Sequence, residues 1–467
     1  EGNTVLSKKE YVYEPYSGTN ESAVSAKVYS SDSGYLTATQ YTDKYGYRTK
    51  DTVAYDAVTN TQSYTTDLLG NILTVKDFKA NAEGASSPTV TYTYDYANRQ
   101  TQATTAAGTV SSSYDTYGRL ASETDARGNS TYYTYNAAGW VTQVRVPMDD
   151  TEEAITNTYY DANGNTARTE VKQEGTKYNV TKNFYDSRNR LTAAVSEDAG
   201  GSVITKYEYD DAGRITKQAV GLASVSEAIN LETHKVTSYS YDSLGRMVSS
   251  TDPLGQQSTF QYSILGELLS ETDRNGIVKT YDYDGLGRLK ELSADSGAEA
   301  VSYVYDLMGN ITQMVDGEGT TAYTYSKKGE LLSETRSGVT KNYGYDANGN
   351  RTSFTVPAMG ISATYGYDAI GRMTSFTDSG TTTNYTYDGN GNLLSETTDG
   401  GRTVTYSYNK ANLLTNKTNK MGANTLETYA LTYYADGNVK SVTENGEAKS
   451  YTYDGIGRLT KETTADA

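Results

Sequence analysis

The feature that most constrains this chain is a short motif that recurs along nearly its whole length. Aligned on one glycine or asparagine, called position zero, the chain has eighteen copies, spaced 20 to 32 residues apart and most often 20 to 22. Such a period indicates an array of small repeated units and not a set of separate globular domains. The aligned residues are Gly70, Asn98, Gly118, Gly139, Gly164, Asn189, Gly213, Gly245, Gly266, Gly287, Gly309, Gly329, Gly349, Gly371, Gly391, Asn412, Gly437 and Gly457.

The residues before position zero have the pattern of a β-strand. Position −4 is Tyr in seventeen units, with Thr66 as the exception, and position −6 is Tyr or Phe in fourteen. Residues two apart on a strand share a face, so these rings form a stripe on one face of the strand. The intervening positions are mostly Thr, Ser, Gly, Val or Glu and occupy the opposite face.

The four residues from −3 to zero, which we call the box, predict a tight turn. Position −3 is Asp in thirteen units, Asn in two, Ser in two and Tyr434 in one. Short polar side chains at this place accept hydrogen bonds from backbone N–H groups and close a turn. Gly and Asn tolerate positive φ best, so the box predicts a type I turn followed by a left-handed residue, the G1-bulge hairpin loop. Position +2 is apolar in fifteen units and anchors the returning strand.

A second, looser turn is predicted midway between boxes, as in "TDPLGQ" (251–256) and "VDGEGT" (315–320). Two turns in each unit of about 21 residues leave two strands of ordinary length, so the array is a continuous antiparallel meander. We expect residues 1–63 to be degenerate N-terminal repeats and residues 64–467 to be one continuous array in the same sheet. The chain is expected to be a fragment of a larger protein.

A meander of this length cannot stay flat. Some thirty-four strands at about 4.8 Å make a ribbon about 160 Å long, and open sheets rarely exceed about ten strands without curling. Apolar residues make up only 36% of the chain, and 46 Tyr greatly outnumber 5 Phe and 1 Trp. This composition does not fill a solid core, so the sequence predicts an all-β, coiled, hollow or grooved shell with tyrosines along one wall.

The bulk composition argues against several classes of function. A net charge of −17 disfavours binding to nucleic acid or to anionic membranes. The absence of cysteine removes disulfides, thiol nucleophiles and Cys-type zinc sites. No run approaches the roughly 18 apolar residues that span a bilayer, so we expect no membrane insertion by this segment.

At the box, the sequence resembles the RHS/YD-repeat family of bacterial polymorphic toxins, Tc-toxin shell components, wall-associated proteins and teneurins. The matching stretches are "YSYDSLGRM" (239–247), "YDYDGLGRL" (281–289), "YGYDAIGRM" (365–373), "YTYDGNGNL" (385–393) and "YTYDGIGRL" (451–459). The resemblance covers about residues 64–460. It implies a spiralling sheet that forms a hollow cocoon and, in the toxins, holds an unfolded C-terminal effector.

The resemblance also implies a terminal core rich in D-P-x-G sequence that can act as an aspartyl self-protease. The only such sequence here, Asp252–Gly255, lies between two units with further repeats after it, so we do not carry this activity over. Secretion or a cell-surface location in bacteria is likewise implied by the resemblance alone.

Three other features could carry chemistry, and each has a simpler interpretation. His234 is the single histidine and lies in the longest insertion, residues 221–236, where we expect a short helix and a solvated side chain. The acidic cluster 148–153 lacks the ligand spacing of a calcium loop. The Arg that often follows position zero is expected to pair with carboxylates across stacked coils. We therefore predict no catalytic, cofactor-binding or metal-binding residues.

Two functions remain. The first is a non-enzymatic scaffold, a shell segment that encapsulates or displays another polypeptide. The alternative is an extracellular adhesion module that binds carbohydrate or protein through a tyrosine-rich surface. The direction in which the tyrosine stripe points distinguishes them.

Overall fold

The computed structural model describes residues 8–14, 21–29, 35–55, 57–85, 87–198, 201–297 and 300–464. Forty strands belong to a single sheet. Every strand pairs antiparallel with the next strand along the chain, from β1 with β2 to β39 with β40. The predicted continuous meander is therefore confirmed.

The first twenty strands span the following residues: Lys9–Glu14 (β1), Glu21–Tyr29 (β2), Tyr35–Asp43 (β3), Arg48–Tyr55 (β4), Val58–Thr66 (β5), Ile72–Lys76 (β6), Val90–Tyr94 (β7), Gln100–Thr105 (β8), Gly108–Tyr114 (β9), Leu120–Thr124 (β10), Ser130–Tyr135 (β11), Val141–Pro147 (β12), Glu153–Tyr160 (β13), Thr166–Glu174 (β14), Lys177–Tyr185 (β15), Leu191–Asp198 (β16), Gly201–Tyr209 (β17), Ile215–Val220 (β18), Lys235–Tyr241 (β19) and Met247–Thr251 (β20).

The second twenty are Gln257–Tyr262 (β21), Leu268–Thr272 (β22), Val278–Tyr283 (β23), Leu289–Ala294 (β24), Val301–Tyr305 (β25), Ile311–Asp316 (β26), Gly319–Tyr325 (β27), Leu331–Arg336 (β28), Val339–Tyr345 (β29), Arg351–Val356 (β30), Ile361–Tyr367 (β31), Met373–Asp378 (β32), Thr381–Tyr387 (β33), Leu393–Thr398 (β34), Arg402–Tyr408 (β35), Leu414–Met421 (β36), Asn424–Tyr433 (β37), Val439–Glu444 (β38), Glu447–Tyr453 (β39) and Leu459–Thr464 (β40). One short helix, α1, spans Phe78–Ala82, and a 3-10 helix spans Pro357–Met359.

The box turns have the predicted backbone geometry. All eighteen aligned residues have positive φ, between 60° at Asn189 and 95° at Gly266 and Gly309. In the unit around Gly287, the Gly287 N–H donates to the Asp284 carbonyl at 2.9 Å, and the Asp284 N–H donates to the Arg288 carbonyl at 2.9 Å. The register then shifts after the pair Tyr283 and Leu289, which is the bulge expected of this loop.

The second turn differs from the predicted looser turn at several places, where it is another copy of the box. Asp252 and Gly255 close one such turn, and Asp273 and Gly276 close another, both with the glycine at positive φ. Elsewhere the second turn is a two-residue hairpin, as between Asp316 and Gly319. A further box, at Asp43 and Gly46, lies between β3 and β4 in phase with the later ones.

The ribbon coils back onto itself. Contacts between turns join residues 257 to 288 positions apart, as between Asn179 and Asp436 and between Lys79 and Tyr367. The turn after β12 meets the turn after β35, twenty-three strands later. At about 4.8 Å per strand one coil measures about 110 Å around, which corresponds to a diameter of about 35 Å.

The coil exposes far more surface than a compact protein does. Its accessible area is 26373 Å² for a mass of 50.8 kDa. A compact monomer of that mass exposes about 17,000 Å². Two wetted faces on a single curved sheet account for the excess and agree with the predicted hollow shell.

One small apolar core interrupts this design. Val195, Ile204, Ala219, Leu222 and Val236 form a buried cluster where residues 221–234 fold over strands β16 to β19. This insertion contains turns and no helix, so the predicted short helix is wrong.

Candidate functional site: the two faces and the seam of the coiled sheet

The tyrosines at position −4 are built into the wall. In fourteen units the hydroxyl donates to the main-chain carbonyl at position +2 of the preceding unit, as Tyr283 does to Leu268 at 2.9 Å and Tyr387 to Met373 at 2.7 Å. Burial raises the pKa of the Tyr387 hydroxyl. Each such ring therefore ties one hairpin to the next and does not project as a free stacking platform.

The arginine at +1 has a different role from the predicted one. Arg288 donates through Nε to Asp284 of its own box at 2.6 Å and through a terminal nitrogen to the Asp306 carbonyl of the next box at 3.0 Å. Its guanidinium lies 4.5 Å from the ring centre of Tyr305. The predicted pairing of this arginine with a carboxylate of the neighbouring coil is wrong at this position. The guanidinium of Arg288 already contacts its own box and the next box of the same coil.

Asparagine at +1 repeats part of this arrangement. Asn392 donates from its amide to Asp388 of its own box at 2.8 Å and to Asn412 of the next box at 2.8 Å. Asn71 does the same with Asp67 and Asn98. This shared role explains why Arg and Asn alternate at one position without a change in the turn.

Hydrogen bonds lower the pKa of several box carboxylates. Burial alone raises the pKa of Asp368, but hydrogen bonds from the Arg372 guanidinium and from the N–H groups of Arg372 and Ile370 lower it further than burial raises it. At Asp95 the largest influence is the hydrogen bond from Arg99, which lowers the pKa. These groups cap turns, as Asp368 does by accepting the Ile370 and Arg372 N–H groups.

The opposite face of the sheet, carrying positions −5 and +4, has paired hydroxyls in several units. Ser113 and Ser122 lie 2.7 Å apart, and Thr324 and Ser333 lie 2.6 Å apart. Thr386 with Ser395 and Thr432 with Ser441 repeat the pair at 2.7 Å. We call this the hydroxyl face and the one with positions −4 and −6 the tyrosine face.

A third feature is the seam, where the second turns of the first coil meet the boxes of the next. Arg127 donates to the Asn409 carbonyl at 2.8 Å and lies 3.3 Å from the Asp388 carboxylate. Asn390 donates to Asp125 at 2.6 Å. Burial raises the pKa of Asp125, but the Asn129 N–H and the Asn390 amide lower it by more.

The seam continues along the coil through other second turns. The Lys79 N–H donates to the Asn348 side chain at 2.8 Å, and the Ala435 N–H donates to the Gln173 carbonyl at 2.8 Å. The Lys410 N–H donates to the Met148 carbonyl at 3.0 Å. Lys440 pairs with Glu174. The motif gave no indication of these contacts, because each joins two turns that look ordinary in sequence.

The interpretation of His234 as a solvated residue is wrong. Its side chain is only 4% exposed. Nδ1 accepts the Asn230 N–H at 3.0 Å, and Nε2 lies 3.2 Å from a Glu227 carboxylate oxygen. Since Nδ1 is an acceptor, the neutral ring carries its proton on Nε2 and donates it to Glu227. His234 thus holds the insertion closed over the apolar cluster.

The acidic cluster 148–153 forms a hairpin turn within the seam. Asp149 caps the turn by accepting the Thr151 and Glu152 N–H groups at 2.7 and 2.8 Å. Asp150 pairs with Lys410 at 2.5 Å. Across the residues that the structure describes, no group of three or more His, Asp or Glu side chains is placed to hold a metal ion. No described helix is long and apolar enough to cross a membrane.

Comparisons with known proteins agree with this geometry. A model of the RHS repeat matches residues 114–147, 185–221, 228–257, 241–276, 262–299, 283–321, 367–403, 387–420 and 433–467. No curated protein matches the sequence.

Solved structures show the same fold. The Photorhabdus luminescens Tc holotoxin pore is similar with a TM-score of 0.64 and 14% identity, over 98% of this chain and 28% of the other. The TcdB2-TccC3 crystal structure gives 0.64 and 14%, over 97% of this chain and 30% of the other. A form without the hypervariable C-terminal region gives 0.59 and 14%, over 98% and 29%.

This chain thus spans less than a third of the length of those structures. The repeat matches cover more than half of the chain and coincide with the boxes that build the coil. The protein accordingly belongs to the RHS-repeat family, and its coiled β-sheet has the fold of these Tc toxin structures.

Proposed function

We propose that this chain is a non-enzymatic wall segment that encapsulates a polypeptide cargo in a secreted or cell-surface protein. The observation that carries the proposal is the seam: one sheet returns upon itself after 257 to 288 residues and is joined there by turn-to-turn contacts. A sheet joined to itself in this way forms a wall around a space, which supports a role in holding a cargo.

The wall chemistry supports an enclosing role. Hydroxyls on the hydroxyl face satisfy one another, as Thr386 and Ser395 do at 2.7 Å. Units with such a pair offer an extended chain few apolar or charged anchors on this face. The similar structures are of Tc toxin components, and one of them was solved without its hypervariable C-terminal region. A cargo segment of variable sequence enclosed by a wall of conserved architecture is consistent with this arrangement.

The alternative, an adhesion module using the tyrosine stripe, has less support. The hydroxyls of Tyr94, Tyr160, Tyr241 and Tyr408 each donate to a main-chain carbonyl of the wall. A ring tied in this way and covered by a guanidinium, as Tyr209 is by Arg190 at 4.7 Å, has little surface left for a sugar. We also propose that residues 1–63 and 64–467 form one structural domain.

A protease-protection experiment tests encapsulation. An unstructured reporter of about 100 residues with thrombin sites is appended to the C-terminus of the full chain, and its cleavage is compared with that of the free reporter. Protection of at least about tenfold is expected, because a sheltered site is cut only when the wall opens.

The matched control opens the seam with Arg127→Ala and Lys410→Ala in the same fusion. Cleavage at the free rate in this variant, with circular dichroism unchanged, shows that the closed coil gives the protection. Cleavage at the free rate in the unaltered fusion would rule out encapsulation by this segment.

A further inference from the structure

Two sets of boxes on one border of the coil have different central residues. Five boxes, those around residues 346–349, 368–371, 388–391, 409–412 and 434–437, lie in the second coil, where the seam contacts are made. Their residues at position −2 are Ala347, Ala369, Gly389, Lys410 and Ala435. Four of the five are Ala or Gly.

Two of these small residues lie in close contact with the coil below. A Cβ at Gly389 would lie 2.7 Å from the Ala126 carbonyl oxygen and 3.0 Å from that of Ala107. Ala435 is buried against the turn that contains Gln173. At Gly389 the fit leaves no room for a side chain.

Four boxes of the first coil are different. They lie consecutively on the box border at residues 43–46, 67–70, 95–98 and 115–118, and none takes part in the seam contacts described above. Leu68 is 93% exposed, Tyr117 is 83% exposed and Tyr96 is fully exposed. Together with Tyr45 and Leu69, each 66% exposed, these side chains form what we call the apolar ridge.

The ridge is large enough for a specific contact. Neighbouring boxes on one border are two strands apart, about 10 Å, so four boxes extend over about 30 Å. Three tyrosines offer about 450–750 Å², and two leucines bring the ridge close to the roughly 800 Å² that each partner contributes to a standard interface. Tyrosine is also a residue type in which interface binding energy concentrates.

The charges in these boxes are already engaged. Arg99 pairs with Asp95 at 2.6 Å, Arg119 pairs with Asp115 at 2.7 Å, and Asn71 donates to Asp67 at 2.8 Å. The ridge is thus locally close to neutral on a chain whose net charge is −17. On an acidic protein, an apolar and locally neutral strip is where a second acidic protein can bind with the least charge repulsion.

We propose that the apolar ridge is an interface between two copies of this chain, which pair ridge to ridge about a two-fold axis. A head-to-tail arrangement would place the ridge on the second turns of another copy, as in the seam. Leu68 and Tyr96 occupy position −2, where seated boxes mostly carry Ala or Gly, so that arrangement meets the clash described for Gly389. A two-fold axis instead places like side chains against like and closes the assembly at two copies.

Sedimentation equilibrium of the full chain from about 0.1 to about 100 µM tests the proposal, with a dimer expected to form in the micromolar range. The variant Leu68→Ser/Leu69→Ser/Tyr96→Ser is expected to weaken association by at least about 100-fold. Leu254→Ser is the matched control, because Leu254 is 85% exposed on a second turn, and it is expected to leave association unchanged.

The chain has no cysteine, so a single introduced thiol reports symmetry directly. With Leu69→Cys, a short bismaleimide is expected to link two copies, since a two-fold axis brings both substituted positions together. Leu254→Cys is expected to stay unlinked. A monomer throughout the concentration range, or a ridge variant that associates like the unaltered chain, would overturn the proposal. Linking through Leu254→Cys alone would also overturn it.

Discussion

Strands β16 to β19 and strands β31 to β34 are four-stranded stretches of one sheet that are stabilised differently. In the first, the insertion 221–234 covers the hydroxyl face, and Leu222 packs there with Val195, Ile204, Ala219 and Val236. In the second, that face carries only small polar contacts, such as the 2.7 Å pair of Thr386 and Ser395. One stretch has a conventional core and the other has almost none.

The difference shows what the repeat unit can do without a core. Between β31 and β34 stability comes from turn caps, from Arg372 donating to Asp368 at 2.7 Å, and from Tyr387 donating to Met373 at 2.7 Å. Each contact contributes modestly, but the same set recurs in unit after unit. The stability of the array therefore comes from many similar small contacts, whereas the stability of the insertion comes from a few large buried side chains.

The largest effect is expected in the small core. Leu222→Ala removes a buried side chain from a cluster that cannot easily collapse, and should lower the local unfolding free energy by about 2–5 kcal/mol. Hydrogen exchange of residues 221–236, followed by mass spectrometry, measures it. Leu231→Ala is the control, since Leu231 is exposed in the same insertion. Equal exchange in the two variants would show that the cluster does not hold the insertion.

A smaller effect is expected at the turn of a regular unit. Gly287 has φ of 75°, so Gly287→Val should cost about 1–3 kcal/mol through backbone strain. The readout is hydrogen exchange across residues 278–294. Gly285→Val is the matched control, because Gly285 lies in the same turn outside the left-handed region. If both variants exchange alike, strain at position zero does not account for the preference for glycine there.

The smallest effect concerns one carboxylate and depends on pH. Hydrogen bonds hold the pKa of Asp368 below its ordinary value in the folded chain, so its contribution is complete above the unfolded pKa of 3.8 and is lost as pH falls through the folded value. Asp368→Ser, a substitution already present at Ser263 and Ser326, should cost about 1 kcal/mol at neutral pH.

Comparison of the unaltered chain with Asp368→Ser also tests the pH dependence. Local opening free energies from hydrogen exchange, corrected for intrinsic rates, should differ at pH 6 and converge as the pH falls below about 3. A difference that persists at low pH would mean that the carboxylate charge is not the source. The insertion should respond to neither change, because it lies in another unit.

Much of the fold follows from the local pattern. Positive φ at position zero, the hairpin register and the coiled, unfilled sheet were all accessible from Tyr, Asp and Gly at fixed offsets, because those offsets specify contacts within one or two units. The buried state of His234 was not accessible, since it depends on how one unrepeated insertion folds over its neighbours.

The contacts of Arg127 show the other limit. It occupies position −1 of a second turn, where other units carry Leu254 or Asn275, and its partners lie 261 to 285 residues away. No local period links those positions, so the pitch of the coil had to be read from the structure. The partners of the arginine at +1 were predicted wrongly for the same reason. A charged side chain at the edge of the sheet can pair with the next unit of its own coil or with the neighbouring coil, and the sequence does not distinguish the two.

The seam also restricts how the chain length can change. Gly389 faces the turn that contains Ala126, Asp436 faces Asn179, and Lys410 faces Met148, each pairing a particular box with a particular turn. The loss of one hairpin between these partners would move every later box one place along the seam and put Lys410 where Gly389 now fits. Gain or loss of a single repeat unit thus preserves the sequence motif but breaks the matched contacts between coils. Viable lengths change by a whole circuit, or by insertions such as 221–234 that leave the strand count unaltered.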